Sequence, residues 1–145
     1  MTEQKTVKLN GQQIIEGLRQ EKARLESIQR SIASVNSLYQ EIFYAKDSLK
    51  ALKKTKKGEK AMISLGAGMF LDIKIDETAK VKKSLAGNIL IGSKIDVSLK
   101  ELEERDKEIQ EKLEELHKQQ QVIYANMNAL TQIVAKAENA RRQQQ

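Results

Sequence analysis

The sequence predicts an α+β fold, a long antiparallel two-helix coiled coil with two β-hairpins at the helix junction. Three observations predict it. Apolar residues recur every three or four positions toward both ends of the chain, the stretch between them alternates with period two, and the 145 residues contain no proline. A seam that repeats every 3.5 residues keeps facing a partner helix only if the helices supercoil, which marks a coiled coil.

The first ladder runs through Ile14, Leu18, Leu25, Ile28, Ile32, Val35, Tyr39, Ile42 and Leu49. Its seam is broken only by Gly11, Glu21 and Lys46. The helix is expected to begin near Asn10, a residue that can accept from a free amide at a helix start. Its 36 residues from 14 to 49 would extend roughly 54 Å. Gly11 and Gly17 weaken the first turns by about 1 kcal/mol each relative to alanine.

Residues 50–60 hold six lysines and read as a basic linker. Beyond it, Ile63, Leu65, Ala67, Met69, Leu71, Ile73 and Ile75 occupy every odd position, interrupted by Gly66 and Gly68. Odd apolar positions resume at Val81, Leu85, Ile89, Ile91 and Ile95, broken by Gly87-Asn88. This pattern predicts two hairpins, about 60–65 with 69–75 and 80–85 with 89–95, within a body of residues 61–98. Phe70 lies opposite the odd row and is expected against a helix base.

The second helix, 99–145, is expected to start after Ser98, which with Glu101 has capping-box spacing; Asp96 is the alternative cap. Its ladder is Leu99, Leu102, Ile109, Leu113, Leu116, Ile123, Met127, Leu130, Val134 and Ala137, with Asp106 and Gln120 as polar breaks. Residues 141–145 are expected to fray.

A single helix cannot bury its own seam, and each apolar seam residue contributes about 1.5–3 kcal/mol when buried. The two ladders are therefore expected to pair antiparallel. Folding back brings Lys46 and Asp106 together as an ion pair that sets register. Two isolated hairpins are marginal in water. Leu65, Met69, Leu71, Ile73, Ile75, Val81, Leu85, Ile89 and Ile91 are accordingly expected at a subunit interface rather than in an intrachain core.

Composition narrows the function. Cysteine is absent, which excludes disulfide, thiolate-metal and thiol chemistry. Aromatics are 3% and charged residues 32% of the chain, a balance that suits solvated helices rather than a large globular core. No apolar run approaches the roughly 20 residues a membrane helix needs, and no leader pattern opens the sequence, so a cytoplasmic protein is expected. The net charge of +6 resides in residues 50–98, where eleven lysines meet five acids. The helical segments are balanced, at seven basic to six acidic residues in 1–49 and eight to nine in 99–145. Balanced arms argue against a nucleic-acid grip. His117 is the lone histidine, and no phosphate loop, nucleophile elbow or ligand cluster accompanies it. No catalytic residue, metal or cofactor is expected.

The segment Leu65-Gly66-Ala67-Gly68-Met69-Phe70-Leu71-Asp72-Ile73-Lys74-Ile75-Asp76 resembles the first hairpin of alpha-class prefoldin subunits. Lys80-Val81-Lys82-Lys83-Ser84-Leu85-Ala86-Gly87-Asn88-Ile89-Leu90-Ile91 falls where that class has its second. Ser64 stands where the family commonly has proline. The resemblance, archaeal in style, implies hairpins that build an intersubunit β-barrel. It also implies a hexamer of two alpha and four beta subunits, ATP-independent holding of unfolded proteins at the coiled-coil tips, and transfer to a group II chaperonin. The tip residues here are Val7, Leu9, Ile14, Ile15, Leu130, Ile133 and Val134. Ile15 and Ile133 lie one place off the seam, where a plain coiled coil prefers charge. The competing expectation is a structural coiled-coil scaffold or a filament-forming relative, with nucleic-acid association as one variant.

Overall fold

The computed structural model describes residues 11–143. In chain order the elements are α1 (Gly11–Lys54), β1 (Lys60–Gly66), β2 (Met69–Lys74), β3 (Lys80–Ala86), β4 (Ile89–Lys94) and α2 (Ile95–Arg142). The chain divides into a terminal unit, residues 1–36 with 111–145, and a hairpin unit, residues 37–110.

In the terminal unit the two helical segments run antiparallel, since Gly17 meets Leu130 while Glu21 meets Asn126. The apolar residues of the 3.5-residue seam are buried or half-buried as far as Val134. Ile14, Leu116 and Ile123 are buried, and Leu18, Leu25, Ile28, Ile32, Val35, Leu113, Met127, Leu130 and Val134 are half-buried. Ala137, the last residue of the expected ladder, is exposed. Gly17 has a packing role besides its low helix propensity. A Cβ there would lie 3.3 Å from Leu130 Cδ1, so the missing side chain admits the leucine. Asn10, Val7 and Leu9 lie outside the described residues.

In the hairpin unit the same antiparallel sense follows from Lys46 meeting Asp106 and Lys53 meeting Asp96. Ile42, Ile95 and Ile109 are buried in this unit. The hairpins are two separate two-stranded sheets, β1 with β2 and β3 with β4. They share one register displaced by 20 residues. Lys60 faces Lys74 as Lys80 faces Lys94, and each first strand slips by one residue before its turn, at Leu65 and at Leu85. The turn glycines follow from backbone geometry. Ala67 and Gly68, the central residues of the first turn, both have positive φ, as a type I′ connection requires, and Gly66 before them does too; in the second turn only Gly87 does, as at the first central position of type II′.

Three boundaries differ from the sequence expectation. First, α1 continues to Lys54 rather than stopping at 49, leaving 55–59 as the linker in place of 50–60. Lysines are good helix formers and favour the negative end of the helix dipole. Lys53 Nζ also donates to Asp96 Oδ1 at 2.6 Å, and Thr55 closes the end by donating its N–H to the Leu52 carbonyl and its hydroxyl to that of Ala51. Second, α2 starts at Ile95, so neither Ser98 nor Asp96 caps it. The β3–β4 ladder runs straight into the helix through Ile95 N–H on the Ala79 carbonyl, and Ile95 is 3% exposed. Ser98 is instead a buried residue whose hydroxyl donates to Ser93 Oγ at 2.9 Å. Third, α2 stays helical through Arg142 instead of fraying from 141; paired arginines at a helix C-terminus are favourable for the dipole.

Candidate functional site

The hairpins carry many uncovered apolar side chains. Leu65, Met69, Leu71, Leu85, Ile89 and Ile91 are exposed, with Met69 at 60% and Leu85 at 64%. Ile73, Ile75 and Val81 are only half-buried. Because each sheet has two strands, every strand also keeps one edge of unpaired backbone groups, a template for pairing with another chain. Phe70 is exposed rather than packed on a helix base. Phe70 lies across from Ser64, on the face of Met62 and Asp72, and that whole face is exposed. Met62, Phe70 and Leu90 therefore make the opposite face apolar too. Their even-numbered positions were the signal available in the sequence.

The second hairpin is fastened to α2, which accounts for the partial cover of its odd face. Lys83 stands where the first hairpin has Ile63. Its Nζ donates to both Glu101 carboxylate oxygens, at 2.7 and 2.6 Å. Glu101 is thus a tether for β3 rather than half of a capping box. The Ser98–Ser93 hydroxyl bond adds a second tie.

Lys46 and Asp106 are brought together across the helices. Lys46 Nζ donates to Asp106 Oδ2 at 2.6 Å, and Gln110 donates to the other oxygen at 3.1 Å. Each side chain keeps less than a fifth of its surface exposed. The ammonium's hydrogen bond holds the Asp106 carboxyl below the usual carboxylate range, outweighing partial desolvation. Asp106 in turn holds Lys46 above its ordinary value.

At the end of the terminal unit where α1 begins and α2 ends, Ile14 is buried and Leu130 and Val134 are half-buried. Ile15 and Ile133, off the seam, are 67% and 41% exposed. Val7 and Leu9 lie outside the described residues. The same off-seam criterion applied along α2 finds Val122, also exposed, which the reading of the tip alone overlooked. His117 is exposed.

The family model for prefoldin subunits matches residues 22–140. The chain belongs to the prefoldin subunit family. Its two hairpins give it the topology of alpha-class prefoldin subunits. Prefoldin membership implies a chaperone role and a non-enzymatic protein. The fold is also similar to a chain in the cryo-EM structure of filamentous prefoldin from Methanocaldococcus jannaschii, with a TM-score of 0.66 and 22% identity. That similarity covers 80% of this chain and 96% of the other, and shows a prefoldin-like fold. No curated protein sequence matched the chain. Among the described residues no helix is long and apolar enough to cross a membrane.

Proposed function

We propose that this prefoldin subunit is part of a cytoplasmic, ATP-independent holdase. In this reading the hairpins form the oligomerisation body, joining beta-class subunits as two alpha and four beta chains in an intersubunit β-barrel. The helices are the arms, which hold unfolded proteins at their terminal end through Ile14, Ile15, Leu130, Ile133 and Val134, together with Val7 and Leu9. Clients then pass to a group II chaperonin. No cofactor or metal takes part.

The observation that carries the reading is the apolar, open-edged hairpin pair. Two strands cannot close a barrel, and a lone hairpin is marginal, so both need strands from other subunits. The exposed isoleucines Ile15 and Ile133 at the terminal end support a client role. Weak contacts from several arms would add through effective concentration rather than through one tight site.

Removing residues 1–15 and 131–145 tests the client assignment. Suppression of aggregation of a denatured protein should be lost, while light scattering still detects the assembly. Undiminished suppression by the truncated chain would contradict the assignment. A second reading is self-assembly into filaments. The similarity to a filamentous prefoldin favours it, and electron microscopy of the chain without a beta-class partner separates the two.

A further inference from the structure

Lysines stand across from each other at the base of both hairpins. Lys60 faces Lys74 and Lys80 faces Lys94, the same register position in each. Like charges placed opposite on a strand pair are unfavourable. All four are exposed, and among the described residues none joins an ion pair. Of the eleven lysines in residues 50–98, only Lys53 and Lys83 have carboxylate partners there. Glu77 lies close enough to Lys80 to feel its charge, but the Ala79 N–H donates to its carboxylate at 2.8 Å and is the main cause of its lowered pKa. The opposed pairs share the even-numbered face with exposed apolar side chains, Met62 and Phe70 on the first hairpin and Leu90 on the second. Asp72 is the one acid on that face. At the second pair, Lys80 and Lys94 line an open groove of about 320 Å³ together with Lys53 and Asp96. Lys53 holds Asp96 at 2.6 Å, so Lys80 and Lys94 are the cations of the groove left without a carboxylate.

Unpaired lysines beside exposed apolar side chains complement a partner that is acidic and apolar together. A carboxylate placed between two opposed ammonium groups also relieves their repulsion. We infer that the even-numbered hairpin faces dock an acidic segment of another protein that also carries apolar residues, with one carboxylate seated between Lys80 and Lys94. A polypeptide suits this surface better than a nucleic acid does. Residues 50–98 contain no arginine for bidentate phosphate contacts, and only Phe70 for base stacking. Asp72 on the same face repels phosphate. The inference takes from the assembly reading only that other subunits cover the odd-numbered faces, which leaves the even ones free. It adds a charge-selective surface to the same body.

The test uses the full-length chain and two fluorescent peptides, one with glutamates spaced among leucines and one with glutamine at those positions. Anisotropy titrations should show the glutamate peptide binding at least about tenfold more tightly. The preference should shrink as salt is raised. Lys80→Gln with Lys94→Gln should remove about tenfold of that affinity, and adding Lys60→Gln with Lys74→Gln should bring the two peptides level. Lys22→Gln with Lys107→Gln removes two exposed charges from the helices instead and should leave the preference intact. Because the hairpin substitutions remove opposed charges, the melting temperature should hold or rise. A lower one would make these lysines structural and overturn the inference. Equal binding of both peptides by the natural chain, or a glutamate preference that survives Lys80→Gln with Lys94→Gln, would overturn it. Tighter binding of a single-stranded oligonucleotide of the same charge would do so too. Light scattering in parallel separates the readings. An assembly of unchanged mass with no glutamate preference removes this surface alone, and a monomeric natural chain, alone and with a beta-class subunit, removes the assembly reading. An assembly lost only in the lysine variants would make these faces a contact between subunits, which also overturns the inference.

Discussion

Leu71→Glu and Ile89→Glu, singly and together, are expected to dissociate the assembled protein while far-ultraviolet circular dichroism still reports the helices. Leu71 and Ile89 sit on different hairpins, and both are exposed within the chain, so little intrachain packing is lost. Each side chain contributes about 1.5–3 kcal/mol when fully buried, and a glutamate forced into the same place adds the penalty of an unpaired buried charge. Subunit association should therefore weaken at least about a hundredfold for each substitution. Analytical ultracentrifugation over a concentration series reads this directly. An assembly mass unchanged by the double substitution would place the subunit interface elsewhere.

The ion pair between Lys46 and Asp106 leads to the second large effect. Removing one partner, as in Asp106→Ala, leaves a lysine ammonium in a site with less than a fifth of its side-chain surface exposed. The expected cost is about 1–2 kcal/mol, less than for a fully buried pair because solvent still reaches the charge. Replacing both with leucine should make the helix pair more stable than the natural protein by about 1–2 kcal/mol, and at the same time loosen its register. Disulfide trapping between cysteines introduced on facing seam positions measures that loosening. A double-leucine variant less stable than the single substitution would contradict this account. The pH dependence follows from the two shifts. Asp106 is held low by Lys46, so its contribution is present above about pH 4 and is lost as pH falls through its depressed value. Lys46 is held high by Asp106, so its contribution persists below about pH 10 and is lost as pH rises past its elevated value. Asp106→Asn should remove the pair's part of the acid limb. Glu114 and Glu115 are also held low by Lys118 and Lys112, but these exposed pairs contribute little.

The periodic features of this chain were legible because they depend on spacing alone. From Ile14 to Val134, the apolar positions of the 3.5-residue ladders are those that the helix pairs bury or half-bury. Lys46 and Asp106 stood out as opposite charges among the few polar breaks of the two seams, and antiparallel folding brings this pair together. The hairpin turns were legible through Gly66, Gly68 and Gly87, whose positive φ suits glycine.

Features that depend on a partner from another element were not legible. Ser98 and Glu101 have the spacing of a capping box, yet Ser93 and Lys83 recruit them for the second hairpin, and the start of α2 moves to Ile95. Lys53 extends α1 because Asp96 faces it across the helix pair. Glu21 reads as an ordinary polar seam residue until Asn126 and Arg24 are seen to occupy a single oxygen. The one-residue slips at Leu65 and Leu85 changed which residues face each other near each turn, and period-two counting cannot register such a slip.

Light scattering coupled to size exclusion is the most direct test of the central claim, that the hairpins' apolar faces are covered by other subunits. Measured alone and with a beta-class prefoldin subunit, the chain should elute with a mass well above its own 16.4 kDa in at least one of the two samples. A stable 16.4 kDa species in both, with its helices intact, would contradict it.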